Sequence, residues 1–225
     1  MTTTYLVVGA GAAGCVVASR LSEDPRNRVI LAEAGKDFPG RSAPPADITG
    51  SYAGYALYNP DYFWPSLKAA RNEATPPVRY EQARIVGGGS SINGQVALRG
   101  APADFDRWEE LGARGWSWNS VLPYFRRLET DLDFTDQYHG AEGPVRIRRL
   151  PPDLWDGFTQ AVVAGWEAQG HARRADMNGF YEDGFAAIPI SNDNGARVSS
   201  ATAYLDAAVR ARPNLTIMAD AEVAR

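Results

Sequence analysis

Glycines at positions 9, 11 and 14 stand as G-x-G-x-x-G between an apolar run and a stretch with helical spacing. At a strand-to-helix junction these residue types admit a phosphate. Gly9 permits a tight turn, Gly11 lets the backbone approach a pyrophosphate, and Gly14 lets the helix pack closely on the strand. Ala12 and Ala13 then open the helix, which offers unpaired N–H groups and the positive end of its dipole to anionic oxygens. Glu33, with Ala34 beside it, follows 19 residues after Gly14. A carboxylate there accepts hydrogen bonds from ribose hydroxyls and disfavours a 2′-phosphate. The pattern points to a dinucleotide and leaves FAD and NAD both open.

A second glycine cluster lies in "ARIVGGGSSINGQVALRG", residues 83–100. It contains Arg84, Gly87, Gly88, Gly89, Ser90, Asn93, Gly94, Gln95 and Val96. Composition alone fits a flexible linker as well as a loop kept small so that a ligand can lie against it. Ser90 and Ser91 lack the G-x-S-x-G elbow of a nucleophile and read as hydrogen-bonding or capping residues. The two histidines, His139 and His171, are too far apart and too unsupported for a metal site. His139 reads as a residue bonding locally within its "YHG" turn, and His171 as a solvated helix end. "SNDNG" (191–195) lacks the glutamate of a calcium loop. Cys15 is most simply a small buried hydrophobe. Phe63 and Trp64 suit either a cover over a flat ring or the core of a surface arm.

These residues need elements to position them. "TYLVVGAG" (4–11) reads as a buried strand, 12–24 as a helix closed by Pro25, and "NRVILAEAG" (27–35) as a second buried strand. Together they make a βαβ unit with parallel strands. Residues 36–77 are aperiodic and aromatic, the character of a functional or covering arm. Residues 104–129 read as two helices, the first ending near Gly112 and the second starting at Ser117 or Asn119. Strands are expected over 143–150 and 214–225, and helices over 153–170 and 200–212, the last broken by Pro213. The basic run Arg146–Arg149 reads as a solvated strand face. A nucleotide-binding sheet needs more parallel strands than these, and the chain stops near a strand, so a piece of a longer protein is expected.

Composition narrows the classes. The 225 residues carry a net charge of −4 and are 44% hydrophobic with six Trp, enough for a large core. The acidic balance argues against nucleic acid or an anionic membrane as partner. One cysteine excludes an intrachain disulfide framework and fits a reducing compartment. No signal peptide and no membrane span are expected, which gives a cytoplasmic localisation.

Residues 83–106 resemble the first signature of the GMC (glucose–methanol–choline) flavoprotein oxidoreductases. The resemblance lies in Arg84, Gly87-Gly88, the small pair Gly89-Ser90, Asn93, Ala97, Gly100 and Asp106. Further matches are "DRWEELGARGWSWNSVLPYFRRLE", "YHGAEGPV" (138–145) and "GARVSSATAYL" (195–205), so it runs across the whole chain. Its nearest branch oxidises small aromatic primary alcohols such as hydroxymethylfurfural and pyridoxine.

The resemblance implies an α/β fold: a Rossmann-like FAD-binding domain over 1–142 and 196–225, interrupted at 143–195 by the start of a substrate-binding α+β domain. It implies non-covalent FAD, with the ADP part on Gly9–Gly14, Glu33 and Ala34. Residues 87–96 would lie against the diphosphate, ribityl chain and ring edge, with Asn93, Gly94, Gln95 and Val96 near the flavin. Arg84 and Trp64 would be close by, and the backbone of Val223 would contact adenine. Some members attach FAD to a histidine just before the matching asparagine, but here Ile92 stands there. The implied reaction transfers hydride from an alcohol to flavin N5, with oxygen or another acceptor taking the electrons. The family's catalytic histidine is expected beyond residue 225 or on another chain, so no catalytic residue is assigned within this one. A cofactor-holding module without chemistry of its own, a non-redox lyase and an NAD dehydrogenase are the alternatives.

Overall fold

The computed structural model describes residues 2–38, 44–50 and 54–224. The arm expected over 36–77 therefore falls partly outside the described residues. In chain order the elements are β1 (Thr3–Val8), α1 (Ala12–Leu21), β2 (Asn27–Ala32), α2 (Ala46–Thr49), α3 (Gly54–Leu57), β3 (Lys68–Ala69) and β4 (Val78–Arg79). There follow α4 (Pro102–Glu110), α5 (Trp118–Leu128), β5 (Glu129–Asp131), β6 (Val145–Arg148), α6 (Gly157–Ala168) and β7 (Ile190–Asp193). Last come β8 (Ala196–Arg197), α7 (Ser200–Tyr204), α8 (Ala207–Arg210) and β9 (Leu215–Met218).

The chain forms two compact units, Met1–Gln95 with Asn194–Arg225, and Val96–Asp193. In the first, β1, β2 and β9 make a parallel sheet in the order β1-β2-β9. Tyr5 pairs with Val29, Val7 with Leu31, and Val29 in turn with Leu215. Val29 and Leu31 on β2 are fully buried, as are Cys15 and Ala18 on α1, the expected outcome for a strand covered by its neighbours. β1 departs from the expectation of a buried strand. Tyr5, Leu6 and Val8 are exposed, because among the described residues β1 is paired on one side only, in the order β1-β2-β9. A second cluster packs Ile48, Ala56, Tyr62, Phe63, Ile85 and Ile92. It settles the two readings of Phe63, which is core and not a cover.

Residues 200–212 form two short helices instead of the single one expected. Asp206 starts the second by accepting a hydrogen bond from the Val209 N–H, a cap that restarts the backbone before Pro213 can end it.

In the second unit β5 and β6 are parallel and β6 and β7 antiparallel. Helices α4 and α5 close around Phe105, whose ring lies 5.8 Å from Trp118 and 5.6 Å from Phe125. Residues 96–142 thus pack with 143–193. Among the described residues no helix is long and apolar enough to cross a membrane.

Candidate functional site

The two glycine clusters meet. Gly87 N–H donates to the Ala10 carbonyl at 2.7 Å, and a Cβ on Gly88 (φ +53°) would stand 2.7 Å from Gly11 Cα. Gly88 is glycine because the two turns touch. Gly14 is glycine for the reason its spacing suggested, since a Cβ there would collide with the Gly9 carbonyl oxygen. Gly9, Gly11 and Gly89 differ: a Cβ on any of them would meet nothing within 4 Å. Those three positions border open space.

That space is a cleft of about 400 Å³ in the first unit. Of the residues singled out from sequence, Gly9, Gly11, Ala12, Glu33, Ala34, Trp64, Gly88, Gly89 and Val223 line it. Helix α1 starts there with Gly11 as an N-cap that supplies no side-chain partner, so its first N–H groups are left for a ligand. Glu33 is buried, and its carboxylate accepts from Ala10 N–H and Gly35 N–H, both at 2.8 Å. Each oxygen keeps a second lone pair that can accept a hydroxyl. Trp64 carries the Arg84 guanidinium 5.2 Å above its ring. The Arg84 Nε is buried without a hydrogen-bond partner among the described residues. Val8, Ala32, Gln82, Ala83, Ala221 and Glu222 also line the cleft, and sequence reasoning does not assign them to the site; nothing in their types marks them.

Ala13, Gly14, Arg84, Gly87, Ser90, Asn93, Gly94 and Gln95 do not line the cleft but support or flank it. Ser90 Oγ bonds the Gly87 carbonyl at 2.6 Å and lies 2.8 Å from Ser200 Oγ. Ser91 Oγ donates to the Val86 carbonyl. Both serines therefore hold the turn, as their lack of an elbow motif indicated. Val96 belongs to the second unit and is exposed. Cys15 is fully buried with its Sγ 3.2 Å from the Ala10 carbonyl. Burial pushes its thiol pKa up, which makes it a poor nucleophile.

The second unit corrects two expectations. His139 does not bond only within its turn. It is buried, with Nδ1 3.2 Å from Glu129 and 3.0 Å from Asp131, and Nε2 3.1 Å from Asp176. Arg149 is not solvated either; its guanidinium pairs with Asp131 at 2.6 Å and Asp176 at 2.7 Å. Arg99 pairs with Glu129. Burial pulls the His139 pKa down, but the hydrogen bonds its ring donates to Asp131, Asp176 and Glu129 outweigh it and raise the value to about 11. Asp131 is lowered despite burial by His139 and Arg149. Glu129, Asp131 and His139 bring possible ligand atoms within 4.8 Å of one another. With His139 protonated, three cations (Arg99, Arg149 and His139) pair with the buried Glu129, Asp131 and Asp176. The more exposed Asp133 and Asp136 lie 3.6 Å from Arg149 and 3.9 Å from His139, so the group is an ion-pair network among its own side chains. His171 is exposed, as expected for a helix end.

A parallel βαβ unit with a glycine cradle and a buried acid after the second strand defines a Rossmann-type dinucleotide-binding protein. The family model for GMC oxidoreductases matches residues 3–225, and the chain belongs to that family. It is 42% identical to a 5-(hydroxymethyl)furfural oxidase from Methylovorus sp. (strain MP688), over 97% of this chain and 43% of that protein. It is 34% identical to an oxygen-dependent choline dehydrogenase from Vibrio vulnificus (strain YJ016), over 98% of this chain and 39% of the relative. The crystal structure of pyridoxine 4-oxidase from Mesorbium loti superposes with a TM-score of 0.85 at 33% identity, over 98% of this chain and 42% of that one. The chain thus spans about two fifths of the length of these relatives.

Proposed function

We propose that this chain is the FAD-holding portion of an alcohol oxidoreductase. The observation that carries the reading is the open cleft in which Gly9, Gly11 and Gly89 leave room beside the start of α1, with Glu33 in its wall. When bound, FAD supplies the two-electron acceptor for a hydride leaving an alcohol carbon. The chain's own part is to hold and orient. The free N–H groups at the start of α1 face the diphosphate, the Glu33 oxygens accept ribose hydroxyls, and Val223 offers backbone to adenine. Trp64 and the Arg84 Nε stand beside the cleft, and the loop 87–95 supports the rest of the cofactor. Ile92, apolar and buried, has no nucleophilic atom to attach it, so attachment is non-covalent.

The hydroxyl proton requires a base within hydrogen-bond reach. Neither histidine is offered for it: His139 is locked among carboxylates and His171 sits exposed beyond α6. The base comes from further polypeptide or a second chain, and the substrate-binding part begins near residues 143–195. For the 225-residue chain by itself, that lack favours a cofactor-holding module over a complete enzyme. The names of the furfural oxidase and pyridoxine oxidase relatives support a small aromatic primary alcohol as substrate, with oxygen or another acceptor reoxidising the flavin. The single cysteine, buried and unpaired, supports a cytoplasmic setting.

The test is the visible spectrum of the purified protein before and after unfolding. Flavin absorption that leaves with the small-molecule fraction on denaturation is the expected result. A colourless protein that binds NAD instead would sink the assignment. Anaerobic bleaching by hydroxymethylfurfural or pyridoxine, once the rest of the polypeptide is supplied, separates redox from lyase chemistry.

A further inference from the structure

Arg197 is 4% exposed and has no carboxylate partner among the described residues. Its Nε donates to the Ile48 carbonyl at 3.0 Å. Its Nη1 donates to the Ser90 carbonyl at 3.2 Å, the Asn93 carbonyl at 2.7 Å and Asn93 Oδ1 at 3.0 Å. Nη2 is buried without a hydrogen-bond partner among the described residues. Removing a guanidinium from water without a counter-ion is unfavourable, so the acceptors around it must offset that cost. All of them are acceptors, and three belong to the loop that flanks the cofactor cleft.

The Asn93 amide is the informative one. Its Oδ1 accepts from Arg197 Nη1 and also from the Gln95 N–H at 3.0 Å. A guanidinium and a backbone N–H can only donate, so the pair dictates which end of the amide is oxygen. The Nδ2 hydrogens are consequently turned away from both, on a side chain that is exposed in this chain. We propose that Arg197 is a positioning residue: it fixes the Asn93 amide so that Nδ2 presents its hydrogens to an acceptor atom of the bound flavin. The inference rests on the FAD reading above and adds to it the residue that sets the polarity of one contact. Lysine would keep the charge but not the fork that reaches several acceptors at once.

Titration of the protein with FAD, followed by quenching of free-flavin fluorescence and by the bound flavin's visible band shape, tests it. Arg197→Lys and Asn93→Ala are each expected to weaken FAD by about tenfold, the typical loss of one charge-assisted or buried hydrogen bond. The double variant is expected to be no weaker than Asn93→Ala alone, with the same band shape, because Arg197 acts through that amide. Asn93→Asp keeps both acceptor contacts and removes the donor, so it should fold normally and still lose affinity; it serves if the Arg197 variants do not fold. Additive losses in the double variant, or wild-type affinity in Asn93→Asp, would overturn the inference alone. A wild-type protein that takes up no FAD would overturn the cofactor reading and this inference with it.

Discussion

Gly11→Val is expected to yield a protein that folds like the wild type and binds FAD at least about a hundredfold more weakly, the scale of losing close backbone approach to a pyrophosphate. The two halves of that expectation have separate physical grounds. Gly11 has φ −71° and ψ −169°, extended backbone that valine adopts without strain. A Cβ there meets nothing within 4 Å, so the added bulk enters the cleft and not the protein. Gly14→Ala is the contrasting substitution. Its Cβ collides with the Gly9 carbonyl oxygen, so α1 must move off β1, at a cost of about 3 kcal/mol, the upper end of ordinary overpacking. Equilibrium unfolding and FAD titration on both variants read the difference. A Gly11→Val protein with wild-type affinity would place the diphosphate elsewhere, and one that fails to fold would show that the open space is not free. Gly88→Val is the less informative choice, because Gly88 combines φ +53° with contact against Gly11 and would disturb fold and cleft together.

The same glycines show what can be read from a sequence. Gly9, Gly11, Gly14 and Glu33 were legible because their roles are local: one strand, one turn, one helix and the next strand fix their positions. The contact between Gly88 and Gly11 was not legible, since it joins turns 77 residues apart in sequence with no pattern linking them. Ser90 was recognised as a hydrogen-bonding residue but not its partner Ser200, which lies 110 residues on. Arg149 and His139 were misread for a different reason. Charged and titratable side chains are exposed far more often than buried, and only partners brought in by folding reverse that expectation. Glu129 and Asp131 stand two apart on β5 and so share a face, a hint of a paired site that sequence alone could not place inside.

That buried network carries the second large expected effect. Stability of the Val96–Asp193 unit is expected to fall as pH rises from 6.5 toward 11, by up to about 1.4 kcal/mol per pH unit. The direction follows from the protonated state. His139 binds its proton more tightly in the folded protein than in the unfolded chain, so its contribution is complete below the unfolded value of 6.5 and is lost on passing through about 11. Losing the proton leaves the buried Glu129, Asp131 and Asp176, with the partly exposed Asp133 and Asp136 beside them, facing two guanidiniums, so negative charge goes uncompensated in a buried site. His139→Gln imposes that imbalance at every pH and is expected to destabilise the unit by about 3–5 kcal/mol, the range for breaking a buried pair by removing one partner. Urea unfolding at several pH values between about 6 and about 10 compares the two proteins. The wild type should lose stability steeply over that interval and the variant much less, because other alkaline groups are common to both. Parallel slopes in the two proteins would mean that His139 is neutral in the folded state and that the carboxylates, not the histidine, carry the compensating proton.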